Sequence, residues 1–175
     1  MTLNTTTLKA FLAGLMTVVS MTATAQETEG REIRFLAGGK GLATDFGLEY
    51  EKRDGVIGKT FYAQHGKKRD SSNMIAANPE QIVLGAGYAV HLRDSSDFDV
   101  YLAPSIALIY QKDVQVDPTS EKDVFTAGPA LKIGSLYTMH TVWTIGAEYV
   151  MLNNWFSDRI ASSQTYGNAV IGYKF

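Results

Sequence analysis

The sequence predicts an all-β fold, a closed, antiparallel, up-and-down transmembrane barrel of about eight strands. Three observations predict it. Segments of about ten residues alternate apolar with polar side chains. The connections between these segments are alternately short and long. Glycine is frequent, at 16 residues, whereas proline is rare, at 4, which suits bent and crowded strands better than helices. No stretch after the N-terminal segment is apolar for long enough to predict a membrane-spanning helix.

The N-terminal segment predicts a cleaved signal peptide. Lys9 precedes an apolar run over 10–19, and Ala23-Thr24-Ala25 supplies the small-x-small pattern that signal peptidase accepts. The apolar run is shorter than the roughly 20 residues that a spanning helix needs, so a membrane anchor is the weaker alternative. The predicted domains are therefore a signal peptide at 1–25 and a barrel at 26–175.

The strands follow one another along the rest of the chain. Clear alternation covers 44–53, 82–93, 98–110, 125–133, 143–151 and 166–175, and weaker alternation covers 32–39 and 56–66. An even number of strands lets both ends of the barrel chain meet on one side of a membrane. About ten residues, tilted near 40°, also cover roughly the 25 Å of a barrel's apolar band.

The connections show a second regularity. Short links are expected near 53–55, 93–97 and 137–140, and long loops at 67–79, 112–122 and 153–164, while the first loop at 39–43 is brief. Short turns at one end and longer loops at the other are typical of outer-membrane barrels. In a water-soluble barrel, nothing requires the connections to be alternately short and long.

Alternation by itself does not tell which face is inside. In a bilayer the apolar face must meet lipid and the polar face must fill the lumen. The polar faces carry both signs of charge, and so narrow a lumen has room for little beyond side chains. We predict a lumenal hydrogen-bonded ion network of Glu49, Glu51, Arg53, His91, Arg93, Asp99, Lys132, Glu148 and Lys174. Glycines on the same face leave some room, so a narrow channel stays open as an alternative; they are Gly47, Gly85, Gly87, Gly128, Gly146 and Gly172.

Composition excludes several chemistries. The absence of cysteine removes disulfides, thiolate metal sites and cysteine nucleophiles. The net charge of −2, without a run of basic residues, argues against a nucleic-acid partner. The three histidines do not lie at a metal-ligand spacing, so we expect neither a metal nor a cofactor.

The terminal strand, 166–175, resembles the C-terminal signature of bacterial outer-membrane barrels, a final aromatic residue preceded by apolar residues at alternate positions. The resemblance implies that Tyr173 and Phe175 belong to a signal read by the barrel-assembly machinery. In architecture and length, the chain after residue 25 resembles the small eight-stranded OmpX/Ail-like, OmpA-barrel-like and OmpW-like proteins. This resemblance implies a place in the Gram-negative outer membrane.

Some small barrels act on lipid A, which makes an enzyme one alternative. The lipid A deacylase family called PagL uses His-x-Ser on one strand with a downstream Glu. Here His140-Thr141-Val142 has Val142 where the serine belongs, although Glu148 follows. The missing nucleophile argues against this hydrolase.

The function we expect is therefore non-enzymatic and lies in the outer loops: envelope integrity, lipopolysaccharide contact, or adhesion to a host or surface ligand. Lys67, Lys68 and Arg69 are the candidates for lipopolysaccharide phosphates, which Lys and Arg bind well. Trp155 and Phe156 form an apolar pair in the last loop, suited to adhesion or to the lipid boundary. We expect a monomer in outer-membrane lipid. A channel, a lipid A-modifying enzyme and a soluble lipocalin-like carrier are the alternatives.

Overall fold

The computed structural model describes residues 30–39, 45–67, 80–94, 97–117, 120–156 and 163–175. The predicted signal peptide, Lys68 and Arg69 lie outside these ranges. Eight strands make up almost all of the described chain: β1 Gly30–Gly39, β2 Asp45–Asp54, β3 Ile57–Lys67, β4 Glu80–Asp94, β5 Phe98–Asp117, β6 Ser120–Met139, β7 Trp143–Asn153 and β8 Ser163–Lys174. In these ranges there is no helix of the length and apolarity needed to cross a membrane.

The eight strands close into one barrel in chain order, each antiparallel to its neighbours. The closing pair is β1 with β8, in which Phe35 lies opposite Ile171 and Gly39 opposite Gly167. Closure gives every strand a partner on both sides in the body of the barrel, which a sheet in hydrocarbon requires. The predicted strand number, direction and up-and-down order are confirmed.

The two ends of the barrel differ. Gly30, Phe175 and the connections after β2, β4 and β6 lie at one end, which we call the short-turn end. The connections after β1, β3, β5 and β7 lie at the other, the long-connection end. Gly55, with φ of 60°, supplies the left-handed residue in the tight β2–β3 turn. In the β6–β7 turn, His140 and Thr141 adopt φ of 50° and 66°.

The structure differs from the sequence prediction between β5 and β6. The expected loop at 112–122 is largely a continuation of these strands, with Val114 opposite Lys122 and Asp117 opposite Ser120. Register shifts between Gln111 and Val114, and again before Asp117, interrupt the pairing. A two-stranded ribbon can continue strands already paired, because the alternating valines of Val114-Gln115-Val116 favour extended backbone.

The apolar face of the barrel points outward, as predicted for a transmembrane barrel. Phe35 is 61% exposed and Ile171 is 54% exposed, whereas Glu49 and Lys132 are each 1% exposed. In water this arrangement would expose a continuous apolar wall and bury charges, both at a cost in free energy. In a bilayer the wall meets hydrocarbon, so the orientation matches a membrane barrel.

Aromatic side chains lie on the outer wall towards both ends. At the short-turn end, the ring centroids of Trp143 and Tyr173 are 5.1 Å apart, and Tyr173 stacks on Phe175 at 6.5 Å. Phe46 and Phe125 are 64% and 67% exposed towards the long-connection end. Such belts are typical of the two water–lipid boundaries of a membrane barrel.

Candidate functional site

The lumen is filled by side chains, and Arg34 of β1 lies at the centre of its largest ion cluster. The Arg34 guanidinium is 2.9 Å from Glu49 Oε1, 2.6 Å from Glu51 Oε2 and 2.8 Å from Glu32 Oε2. The guanidinium carbon also lies 5.0 Å above the centroid of the Tyr101 ring. Arg34 is 0% exposed, so its charge is balanced entirely by protein groups.

His91 of β4 extends this cluster towards the short-turn end. Its Nε2 is 2.7 Å from Glu51 Oε1 and its Nδ1 is 2.6 Å from Asp99 Oδ2. An ionised carboxylate only accepts hydrogen bonds, so the arrangement suits an imidazolium ring that donates from both nitrogens. Arg53 Nη1 lies 3.4 Å from the same Asp99 oxygen. Since both ring nitrogens face carboxylates, neither is available to activate a hydroxyl nucleophile.

A second ion cluster surrounds Lys132 of β6. Its Nζ contacts Glu49 Oε2, lies 3.9 Å from Glu148 Oε2 and sits 4.3 Å above the centroid of the Tyr62 ring. The Tyr101 hydroxyl donates to Glu148 Oε2 at 2.8 Å. Glu49 thus links Lys132 to Arg34, and the two clusters form one connected network.

Neutral polar groups continue the network towards the long-connection end. The Asn168 amide donates to Glu148 Oε1 at 2.8 Å, and the Gln64 amide donates to Asn168 Oδ1 at 3.2 Å. The Tyr166 hydroxyl donates to Gln64 Oε1 at 3.0 Å. These bonds run between β3, β7 and β8, so they tie opposite walls of the barrel together across the lumen.

Several glycines on the lumenal face lie against large side chains of neighbouring strands. A Cβ on Gly85 would collide with the Tyr62 ring, and one on Gly134 would collide with the Tyr101 ring. At Gly58 it would meet the Glu51 carboxylate. These glycines therefore make space for large side chains from neighbouring strands.

The network residues expected from the sequence are distributed as follows. Glu49, Glu51, His91, Asp99, Lys132 and Glu148 are buried in the lumen. Arg53 is half-buried beside Asp99, and Lys174 donates to Thr138 Oγ1 at 2.9 Å near the short-turn end. Arg93 pairs with Val100 beyond a register shift in β4, and its side chain, like that of Lys67, lies outside the described part.

Sequence reasoning missed the centre of the network. Glu32 and Arg34 lie on β1, where the alternation was weak, although they share a face with Leu36. The signal that could have found them is the pair of opposite charges two residues apart on a strand that must close the barrel. Tyr62 and Tyr101 were also missed, because their rings fill space above glycines of other strands.

The histidine considered for catalysis is not placed for it. His140 and Thr141 lie in the β6–β7 turn and not on a strand, and the Thr141 hydroxyl donates to the His140 carbonyl at 2.6 Å. Glu148 is buried in the lumen, where it binds Tyr101 and Asn168. Across the described ranges, no three His, Asp or Glu side chains are grouped so that they could hold a metal ion.

The exposed pair Trp155 and Phe156 follows β7 at the long-connection end. Trp155 is 51% exposed and Phe156 is 76% exposed, and their rings meet edge to face at 6.1 Å. The Trp155 amide donates to the Ala127 carbonyl at 3.1 Å, and the Phe156 amide donates to Asn154 Oδ1 at 3.2 Å. The Thr126 hydroxyl binds the same Asn154 oxygen at 2.6 Å, so β6 holds the aromatic pair in place.

An eight-stranded closed barrel with an apolar wall and a charged, filled lumen defines the class: the chain has the fold of the small bacterial outer-membrane barrels. Solved structures of this class are similar to it over nearly their whole length. The N-terminal barrel domain of Pseudomonas aeruginosa OprF matches with a TM-score of 0.58 at 14% identity, covering 86% of this chain and 100% of that domain.

Two further barrels show the same likeness. Ail, the attachment invasion locus protein of Yersinia pestis, matches with a TM-score of 0.56 at 11% identity, covering 85% of this chain and 100% of Ail. Neisserial surface protein A gives a TM-score of 0.56 at 11% identity, over 85% of this chain and 97% of its own. Ail has also been crystallised with the heparin analogue sucrose octasulfate. No protein-family model matches the sequence, and no curated protein does.

Proposed function

We propose that this protein is a non-enzymatic barrel of the Gram-negative outer membrane that works through its long-connection end. The outward apolar wall supports insertion in a bilayer, and the predicted signal peptide at 1–25 supplies the export step. Tyr173 and Phe175 at the end of β8 serve as the signal for the assembly machinery. The short-turn end then faces the periplasm, as it does in barrels of this architecture.

The observation that carries the proposal is the connected ion network across the lumen. Arg34, Tyr101 and Lys132 are at most 1% exposed, so the middle of the barrel is packed with side chains that are bonded to one another. A packed lumen of this kind favours a function as a membrane scaffold that carries surface groups over a function as a channel for solutes. In planar bilayers we expect no stable conductance level, and a reproducible open level would favour the channel instead.

The working surface would be the long-connection end. Lys67, Lys68 and Arg69 lie at or beyond the end of β3, where cationic side chains would face lipopolysaccharide phosphates. The exposed Trp155–Phe156 pair at the same end adds an apolar contact for a lipid or a surface ligand. Ail, a barrel of the same fold, forms a complex with the heparin analogue sucrose octasulfate, which supports an anionic partner.

The location is tested by fractionation together with heat-modifiable gel mobility. We expect the protein in the outer-membrane fraction, as a monomeric band that migrates faster before boiling than after it. A freely soluble protein with heat-insensitive mobility would instead point to a lipocalin-like carrier.

The surface role is tested by binding of lipopolysaccharide to folded protein. Replacing Lys67, Lys68 and Arg69 with glutamine should weaken this binding, and replacing Lys112, an exposed cation on another strand, with glutamine should not. Equal binding by both variants would remove these three residues from the proposal.

Unchanged lipid A on expression, measured by mass spectrometry, is the expected result for a protein that is not an enzyme.

A further inference from the structure

The outer wall at the short-turn end carries three cations side by side. Arg31 of β1 lies directly opposite Lys52 of β2, and Lys52 lies directly opposite Lys59 of β3. All three side chains are exposed on the outward face, and each lies within two residues of the end of its strand. We define Arg31, Lys52 and Lys59 as the basic row.

Like charges directly opposite each other on paired strands repel and destabilise the pair. Within the described part of the chain, none of the three cations has a carboxylate at ion-pair distance. Asp54, on the same outward face of β2, forms no such pair with them. The carboxylates of Glu32 and Glu51, the neighbours of Arg31 and Lys52 in the chain, point into the lumen and bind Arg34. In the described part of the chain, the basic row therefore has no carboxylate in direct contact, which leaves it free to bind an external anion.

The position of the basic row indicates which anion this is. The next outward residues towards the middle of the barrel are Ile33, Tyr50 and Phe61, which lie opposite one another in the same order. Ile33 and Phe61 are 39% and 56% exposed, so they form part of the lipid-facing wall. On the β8 side Arg31 is paired with Phe175 by two backbone hydrogen bonds, of 2.9 and 3.3 Å. The cations thus sit where hydrocarbon gives way to lipid headgroups.

We infer that the basic row binds the phosphate of an anionic phospholipid headgroup at the short-turn end of the barrel. Directly opposite residues have Cβ atoms about 5 Å apart, so three neighbouring cations can converge on one headgroup. Arg31 offers a forked donor to phosphate oxygens, and the two lysines add mobile point charges. The acyl chains then lie along Ile33, Tyr50 and Phe61. This inference rests on the proposed membrane location, and it adds a lipid site at the end opposite to the surface loops.

The test is native mass spectrometry of folded protein exchanged into mixtures of phosphatidylglycerol and phosphatidylcholine. We expect the wild type to retain phosphatidylglycerol selectively, and Lys52→Gln to lower its retention about fivefold, as for the loss of one interfacial cation. The triple variant Arg31→Gln, Lys52→Gln, Lys59→Gln should lose the selectivity. Lys52→Arg should keep it, and so should Lys112→Gln, which removes an exposed cation towards the other end.

Two results would overturn the inference. One is equal selectivity in the wild type and the triple variant. The other is retention of phosphatidylglycerol that millimolar inorganic phosphate abolishes, since that would identify a free-anion site without a role for the lipid. Heat-modifiable mobility of the same samples separates the proposed membrane location from the proposed lipid site. A protein that shows this mobility but does not retain phosphatidylglycerol selectively would contradict the lipid site and leave the membrane location standing.

Discussion

At the scale of single residues, the lumen is organised by a few charges that depend on one another. Arg34 neutralises carboxylates from β1 and β2, and Glu49 is shared between Arg34 and Lys132. Removing one partner of a buried ion pair costs more than the pair contributes, because the remaining charge stays buried. Single substitutions should therefore have large effects here, while exposed charges should matter little.

Arg34→Gln should destabilise the barrel by about 3–5 kcal/mol, because it leaves the carboxylates of Glu32, Glu49 and Glu51 without their common cation. The measurement is urea unfolding in lipid vesicles, followed by tryptophan fluorescence. Lys112→Gln is the exposed control and should leave the midpoint unchanged. Adding Glu51→Gln to the Arg34 variant should restore part of the loss. An Arg34 variant as stable as the control would show that the network is not coupled.

Gly85→Ala should destabilise the barrel by about 1–3 kcal/mol, because the new methyl group overlaps the Tyr62 ring. In a double-mutant cycle with Tyr62→Ala, most of this penalty should disappear, since the ring is no longer there to collide. Additive free energies of unfolding for the two substitutions would contradict the proposed packing of the ring over the glycine.

At the scale of the elements, turns and register determine which side chains meet. The β2–β3 turn brings Asp54 opposite Ile57, and this register aligns Lys52 with Lys59 on the outside and Glu51 with Thr60 inside. A shift by one residue would exchange the two faces of the strand. The tight turn at Gly55 is therefore as important to the lumen as the residues that fill it.

Gly55→Ala should lower the free energy of unfolding by about 1 kcal/mol, because the residue has φ of 60°, which alanine rarely adopts. The cost should be no larger, since an added Cβ would meet no other atom there. Gly55→Asn should cost less, since asparagine tolerates the left-handed conformation. Urea midpoints of the two variants provide the comparison. Equal stability of the alanine variant and the wild type would mean that the turn adopts another conformation in the membrane.

At the scale of the whole molecule, the barrel is inverted relative to a soluble protein. Ile106 of β5 is 51% exposed on the outer wall, and Ser105 beside it in the chain is buried in the lumen. The free energy of this arrangement depends on the solvent, since hydrocarbon favours the wall that water would disfavour.

Ile106→Arg should destabilise the barrel in phospholipid vesicles by about 2–4 kcal/mol, because it places a charge in hydrocarbon near the middle of the lipid-facing wall. Ile106→Ala is the control for the lost side chain and should cost much less. Folding free energies in the same vesicles measure the difference. An arginine variant no less stable than the alanine variant would contradict the contact of this wall with lipid.

The sequence by itself determined the fold class, the eight strands and the pairing order, because a period of two and alternating connection lengths are local properties of the chain. It also determined that Glu49, Glu51, Asp99, Lys132 and Glu148 share the face opposite to the apolar residues. Glu32 and Arg34 escaped notice on β1 because the apolar Leu36 lies on the same inward face and weakens the alternation there. The 112–122 segment was misjudged because polar residues occur in loops and in exposed ribbons alike.

Only the tertiary structure decided which of these groups meet. His91 lies 2.6 Å from Asp99 and 2.7 Å from Glu51, on three different strands, and the basic row also comes from three strands. Such contacts depend on strand register and on the closure of β1 against β8. Both result from all the strand pairings together and not from any single segment. Local pattern specifies the face on which a side chain lies, whereas its partners follow from the register of the closed barrel.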